Sequence, residues 1–151
     1  MDVARYFRIA AVSGHVLHLE MKGFWSDEVV EQIQSDVMLQ FNEAAAEVLQ
    51  EGPYIVLADL SHLEVLSQKG RAFLSNAMKH AKEHGMYKAV EVVPNAITRL
   101  STREAAETSG KDDFRTLTKS LDEAAPIVDE LARQLRTSRS ELSKEPTTVN
   151  E

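Results

Sequence analysis

The run Tyr54-Ile55-Val56-Leu57-Ala58, directly after Gly52-Pro53, constrains this chain more than any other segment. A strand with one wet face alternates apolar and polar residues, so an unbroken apolar run behind a turn signal reads as a strand covered on both faces. Taken on to Leu60, it places a sheet inside the molecule, and a buried sheet needs helices packed on it. A chain of 151 residues, 43% hydrophobic and 27% charged, can supply them within one globular domain. The expected domain spans 5–137. Beyond Thr137 nearly every residue is polar or charged, which predicts a disordered tail over 138–151.

The flanking pattern predicts the rest of the architecture. Arg8 to Ala11 and His15 to Met21 are β-prone runs around Val12-Ser13-Gly14 and read as an antiparallel hairpin, with Gly23 ending its second strand. His15 and His18 alternate on that expected edge, where exposure accounts for them. Ser26-Asp27-Glu28 offers a cap and two carboxylates to the free N–H groups of a new helix. Apolar residues from Val29 to Val48 recur at three and four on one face of it. A second amphipathic helix carries Phe73, Leu74, Ala77, Met78 and Ala81 and stops at Gly85. Ala89 to Val93 is a further strand ended by Pro94, Asn95 caps a helix that Gly110 terminates, and Phe114 to Thr118 is a last strand. Ser120 and Glu123 have capping-box spacing ahead of the stripe Ala124, Ile127, Val128, Leu131 and Leu135. Pro126 predicts either a start near residue 125 or a kink. The sum is an α/β fold with a mostly parallel sheet of about four or five strands, an N-terminal antiparallel hairpin and about four helices.

Most chemistries lack their residues. With no cysteine, disulfides, thiol catalysis and thiolate metal sites are excluded, and a reducing compartment such as the cytoplasm is the expected location. No apolar run is long enough to span a membrane. A formal charge of −7 argues against nucleic acid, since acidic side chains would face like charge. The glycines are scattered singly, so no phosphate-binding loop and no nucleotide cofactor is expected. His80 and His84, four apart beside Glu83, lack an identifiable third ligand, and no metal is expected. Asp59, Ser61 and His62 are too close in sequence to converge as a triad, and Asp59 and Ser61 are expected to bond backbone amides instead. Asp112-Asp113 reads as solvated charge. No catalytic residue is assigned, and the chain is expected not to be an enzyme.

The stretch Asp59-Leu60-Ser61-His62-Leu63-Glu64-Val65-Leu66-Ser67-Gln68-Lys69-Gly70 resembles the signature of STAS domains, the anti-sigma-factor antagonist (SpoIIAA-like) family, where a buried strand ends in Asp-Leu-Ser and Asp-Ser-Ser/Thr-Gly opens the next helix. The likeness extends over roughly 8–135, through Lys22-Gly23, Ala89 to Val93 with Pro94-Asn95, and Phe114 to Ala124. It implies the SpoIIAA-like sandwich and a regulatory domain of bacterial signalling that binds a protein partner without catalysis, leaving a homodimer open. In that family the serine or threonine before the glycine is phosphorylated. Here Lys69 stands at that position, Gln68 before it and Ser67 at the Asp position, so the switch does not carry over at its usual place; Ser67 is expected as a helix cap, with acceptance of a phosphate as the alternative.

Two candidate sites follow. The partner surface is the turn Ser61 to Arg71, with Ser61, His62, Ser67, Gln68, Lys69 and Arg71. The alternative is a small-ligand or lipid-binding module, as in the related CRAL-TRIO fold, with an apolar pocket lined by Phe24, Trp25, Phe41 and Phe73.

Overall fold

The computed structural model describes residues 2–94 and 114–149, with side chains as far as residue 137. A short 3₁₀ turn at Val3–Arg5 leads into β1 (Phe7–Ser13), β2 (Val16–Trp25), α1 (Asp27–Val48), β3 (Tyr54–Leu66), α2 (Gln68–Glu83), β4 (Met86–Val92), β5 (Arg115–Thr118) and α3 (Leu121–Val149). The sheet order is β1-β2-β3-β4-β5. Only β1 and β2 are antiparallel, from Phe7↔Met21 to Ser13↔Val16, and the remaining pairs are parallel.

This order explains the layers. Successive parallel strands joined by right-handed crossovers place their helices on one face, and the apolar faces of α1 and α2 pack there together. Leu17, Leu19, Met21, Trp25, Ile33, Val37, Val56, Ala58, Leu60, Met78 and Ala89 share that core. The opposite face is closed by α3, whose Ala124, Val128 and Ala132 pack on Ile55, Val90 and Val92. Strand β3 thus feeds alternate side chains into two cores, and its unbroken apolar run meets that requirement.

The helix starts are built as their side chains predict. Ser26 accepts from the Val29 amide at 3.1 Å and Ser67 from the Gly70 amide at 3.0 Å. Ser120 accepts from the Glu123 amide at 3.1 Å, while Glu123 reaches back to the Lys119 amide at 3.4 Å. The box is therefore closed one residue early.

Several expectations are corrected. Gly23 does not end β2; the strand passes through it at φ +77° with a register shift to Phe24 and continues to Trp25. A glycine that accepts positive φ can form a bulge as readily as a stop. Ser61–Leu66 is not a turn, because β3 runs on beside the lengthened β2 to the register Trp25↔Leu66. His18, on β2, does not lie on an edge strand, since β1 holds that place, and His15 sits in the turn that leads into β2. His15 is 5% exposed and its Nδ1 lies 3.0 Å from the Pro53 carbonyl oxygen. His18 Nε2 is buried without a hydrogen-bond partner among the described residues.

Helix α3 starts at Leu121, five residues before Pro126, so its first turn does not wait for the proline. Pro126 is exposed and costs the helix one amide donor, toward the carbonyl of Asp122. The backbone stays helical to Val149, through the residues whose composition predicts a tail. Propagating a formed helix needs no apolar stripe, which is the signal composition measures. The expected helix from Asn95 to Gly110, and Asp112-Asp113, lie outside the described residues.

Gly85, at φ +112°, makes the turn from α2 into β4, and a Cβ there would meet the Leu49 side chain. Backbone strain of this kind costs about 1–3 kcal/mol. Gly85→Ala should therefore lower the urea-unfolding free energy by about that amount, with an unchanged m-value; wild-type stability would mean that the turn tolerates a side chain.

Candidate functional site

Strands β2 and β3 end side by side, and each hands directly to a helix. The Ser67 amide donates to the Trp25 carbonyl at 2.9 Å, which draws the starts of α1 and α2 together. Asp27, in the first turn of α1, then serves both helices. Its carboxylate accepts from the Lys69 amide at 3.1 Å and from the Ser67 hydroxyl. The Ser67 hydroxyl first, and the Lys69 amide second, hold the Asp27 carboxyl below its ordinary value of 3.8. The Lys69 ammonium pairs with Glu31 one turn further along α1, and this bond raises its pKa. Arg71 folds back, donating from Nη1 to the Leu66 carbonyl at 3.1 Å.

Of the residues expected on the partner surface, Ser67, Gln68, Lys69 and Arg71 share the first turn of α2, whereas Ser61 and His62 lie on β3. Ser61 is turned toward Asp59, to which it donates from its amide at 3.0 Å and from its hydroxyl at 2.5 Å. Asp59 is thus occupied locally. His62 is exposed and, with Ser61, Lys22, Gly23, Glu64 and Val65, lines an open groove at the strand ends. The triad reading gains nothing from this arrangement, since Asp59 bonds Ser61 rather than an imidazole.

Phe24 and Val65 are paired in register at this end and are 49% and 38% exposed. Nothing in the local sequence pattern marks Val65 as a surface residue, and Phe24, expected in the pocket, instead faces outward. The visible signal was the alternation around Trp25: if the indole enters the core, its neighbour on the strand must point away.

Trp25 is fully buried and donates from Nε1 to the Lys22 carbonyl at 2.9 Å. It stacks on Phe73 with ring centroids 6.1 Å apart. Trp25, Phe41 and Phe73 do line one cavity, of about 90 Å³, between α1, α2 and the sheet; Phe24 does not. The lining is otherwise Phe7, aliphatic residues and methionine, and Glu91 is its one charged member among the described residues. The side chains of Glu91 and Arg115 are each 4% exposed and form a bidentate pair, with Arg115 Nη2 donating to Oε1 at 2.9 Å and Nε to Oε2. The Glu91 carbonyl also accepts from the Thr118 hydroxyl at 2.9 Å. His80 and His84 stack at 4.2 Å, and His84 Nδ1 donates to the His80 carbonyl, so the pair is engaged with its own helix. No group of three metal-ligating side chains occurs among the described residues. No helix there is long and apolar enough to cross a membrane.

The chain has the SpoIIAA-like fold. It is similar to the structure of the Bacillus cell fate determinant SpoIIAA in its phosphorylated form, with 16% identity and a TM-score of 0.51 over 81% of this chain and 98% of that one. The anti-sigma factor antagonist SpoIIAA in its unphosphorylated form gives 15% identity and a TM-score of 0.54 over 82% and 96%. An anti-sigma factor antagonist from Mycobacterium paratuberculosis gives 19% identity and a TM-score of 0.48 over 85% and 99%. No family model and no curated protein matches the sequence.

Two consequences can be measured. A carboxylate whose folded pKa is depressed contributes stability that is present above its unfolded pKa and lost as pH falls through the folded value. For Asp27 that loss begins below its ordinary value of 3.8. Urea unfolding of wild type and Asp27→Asn at pH 6 and pH 3 should therefore show the wild-type advantage shrinking in acid; a constant difference would mean that Asp27 is not the titrating group. Arg115→Met leaves Glu91 as an unpaired buried charge and should cost about 3–5 kcal/mol. Glu91→Leu combined with Arg115→Met should recover most of that loss, and the same denaturation curves decide it.

Proposed function

We propose that this chain is a non-enzymatic, STAS-like regulatory domain of bacterial signalling whose partner is a protein and whose contact surface is the shared end of β2 and β3 with the first turn of α2. The observation that carries this reading is the exposed pair Phe24 and Val65, set beside His62 and the first turn of α2. Apolar side chains held outward on paired strands are anchors for a partner, and polar neighbours such as His62, Gln68 and Lys69 supply a rim. The fold supports the same reading, since SpoIIAA is described as an anti-sigma factor antagonist. An acidic chain with formal charge −7 suits a protein partner better than nucleic acid, and the cytoplasm is its proposed location.

The usual phosphorylation switch has no acceptor here. At the position where the resembling family carries serine or threonine, Lys69 is bound to Glu31 and its amide to Asp27. Contact is therefore proposed to be constitutive at this turn, with Ser67 acting as the α2 cap.

The wild-type chain used as bait in extract of its own cells should retain a protein that mass spectrometry identifies. Phe24→Asp with Val65→Asp, and separately Lys69→Glu with Arg71→Glu, should each lower its recovery at least about tenfold. Arg133→Glu, on the exposed side of α3, should leave recovery unchanged. Equal recovery by all variants, each with wild-type thermal unfolding, would sink the surface assignment.

A second reading, a small-ligand or lipid-binding module, is favoured by one observation: the cavity of about 90 Å³ that Trp25, Phe41 and Phe73 share beneath α1 and α2.

A further inference from the structure

The cavity beneath α1 and α2 has a specific chemistry. Among the described residues its walls are apolar except at Glu91. Four of the five methionines of the chain, Met21, Met38, Met78 and Met86, line it. Methionine has an unbranched, polarisable side chain that re-forms around differently shaped guests, so such a wall adapts where one of valine and isoleucine would not. Met38, Phe41, Phe73 and Leu74 are only half-buried, which puts the opening between the two helices, whereas Glu91 is 3% exposed at the sheet. A guest entering between the helices meets hydrocarbon first and a carboxylate last.

We propose that this cavity binds a small uncharged apolar molecule carrying a single hydroxyl, of the size of phenol or a short alcohol, with that hydroxyl donating to Glu91. This deepens, and rests on, the small-ligand reading above.

The charge state follows from the ion pair. Among the described residues only Arg115 donates to the Glu91 carboxylate, taking one lone pair on each oxygen and leaving a second on each for another donor. Because the pair is neutral as a unit, a cationic guest would bring a net charge into a dry site, and an anionic guest would face the carboxylate directly. A neutral donor escapes both costs. A hydrocarbon without a donor fits the walls and forgoes the bond. The size follows from the volume: about 90 Å³ is smaller than the roughly 150 Å³ apolar cavity that takes benzene, and the methionine side chains can supply the difference.

The test uses the full chain with ¹³C-methyl methionine and three ring probes: phenol, benzene and benzoate. Phenol should shift the Met78 and Met86 methyl resonances and saturate. Benzene should shift the same methyls about tenfold more weakly, the difference of one hydrogen bond to a charged acceptor. Benzoate should shift neither. Ala77→Leu, which fills the cavity without touching a polar group, should abolish both phenol and benzene shifts while far-UV circular dichroism is retained. If phenol and benzene bind equally, the Glu91 assignment is overturned while the ligand-binding reading stands. Benzoate binding as tightly as phenol overturns the charge argument in the same way. If no probe moves the cavity methyls, both the proposal and the ligand-binding reading fall, leaving the protein-interaction reading untouched.

Discussion

The burial of β3 on both faces and its pairing on both sides is the constraint on which the other elements depend. Its backbone groups are satisfied by β2 and β4, so the strand can carry apolar side chains toward α1 and α2 on one face and toward α3 on the other. The two strands that flank it differ in reach. The register with β4 stops at Asp59↔Val92, whereas the register with β2 continues to Trp25↔Leu66. The shared end of β2 and β3 therefore extends past the rest of the sheet and displays Phe24, Val65 and His62.

That projecting end is joined to its helices by contacts whose energies differ from those in the core. The Lys69–Glu31 pair is exposed at both partners, so solvent screens it and it adds little to stability. Its effect is positional, holding the α2 start against α1 along with the Asp27 bonds. The Glu91–Arg115 pair is the converse case. Two charges removed from water gain little net stability from each other, yet each is expensive to leave alone, and the pair links β4 to β5 in the register observed. Retaining a carboxylate where leucine would pack has a consequence for the cavity it lines, which keeps one polar point in an otherwise apolar space.

Much of this architecture was legible because it rests on local rules. Tyr54 to Ala58 announced a doubly covered strand, and Ser26, Ser67 and Ser120 each announced a helix start that hydrogen bonds to the expected amides now fill. The misreadings share a cause. Gly23 reads as a stop and Ser61 to Leu66 as a turn because glycine, serine and charged residues interrupt a hydrophobic pattern, while strand pairing depends on backbone groups that composition does not report. His15 and His18 look like edge residues because two adjacent β runs do not say which of them the rest of the sheet joins. Phe24 was grouped with Trp25 because neighbouring aromatics look alike in sequence, although successive residues of a strand point to opposite faces.

By itself the sequence determined the order of the described elements, the helix caps, the buried central strand and the presence of a lysine, Lys69, ahead of Gly70, since each depends on residue type and spacing within a few positions. Only the tertiary structure decided that β2 and β3 lengthen each other, that Asp27 and Glu31 take up Ser67 and Lys69 from across the fold, that Phe24 and Val65 face outward, and that Glu91 meets Arg115 at the wall of a methionine-lined cavity. Those outcomes are contacts between residues tens of positions apart, and sequence spacing carries no direct measure of such contacts until the strands have chosen their neighbours.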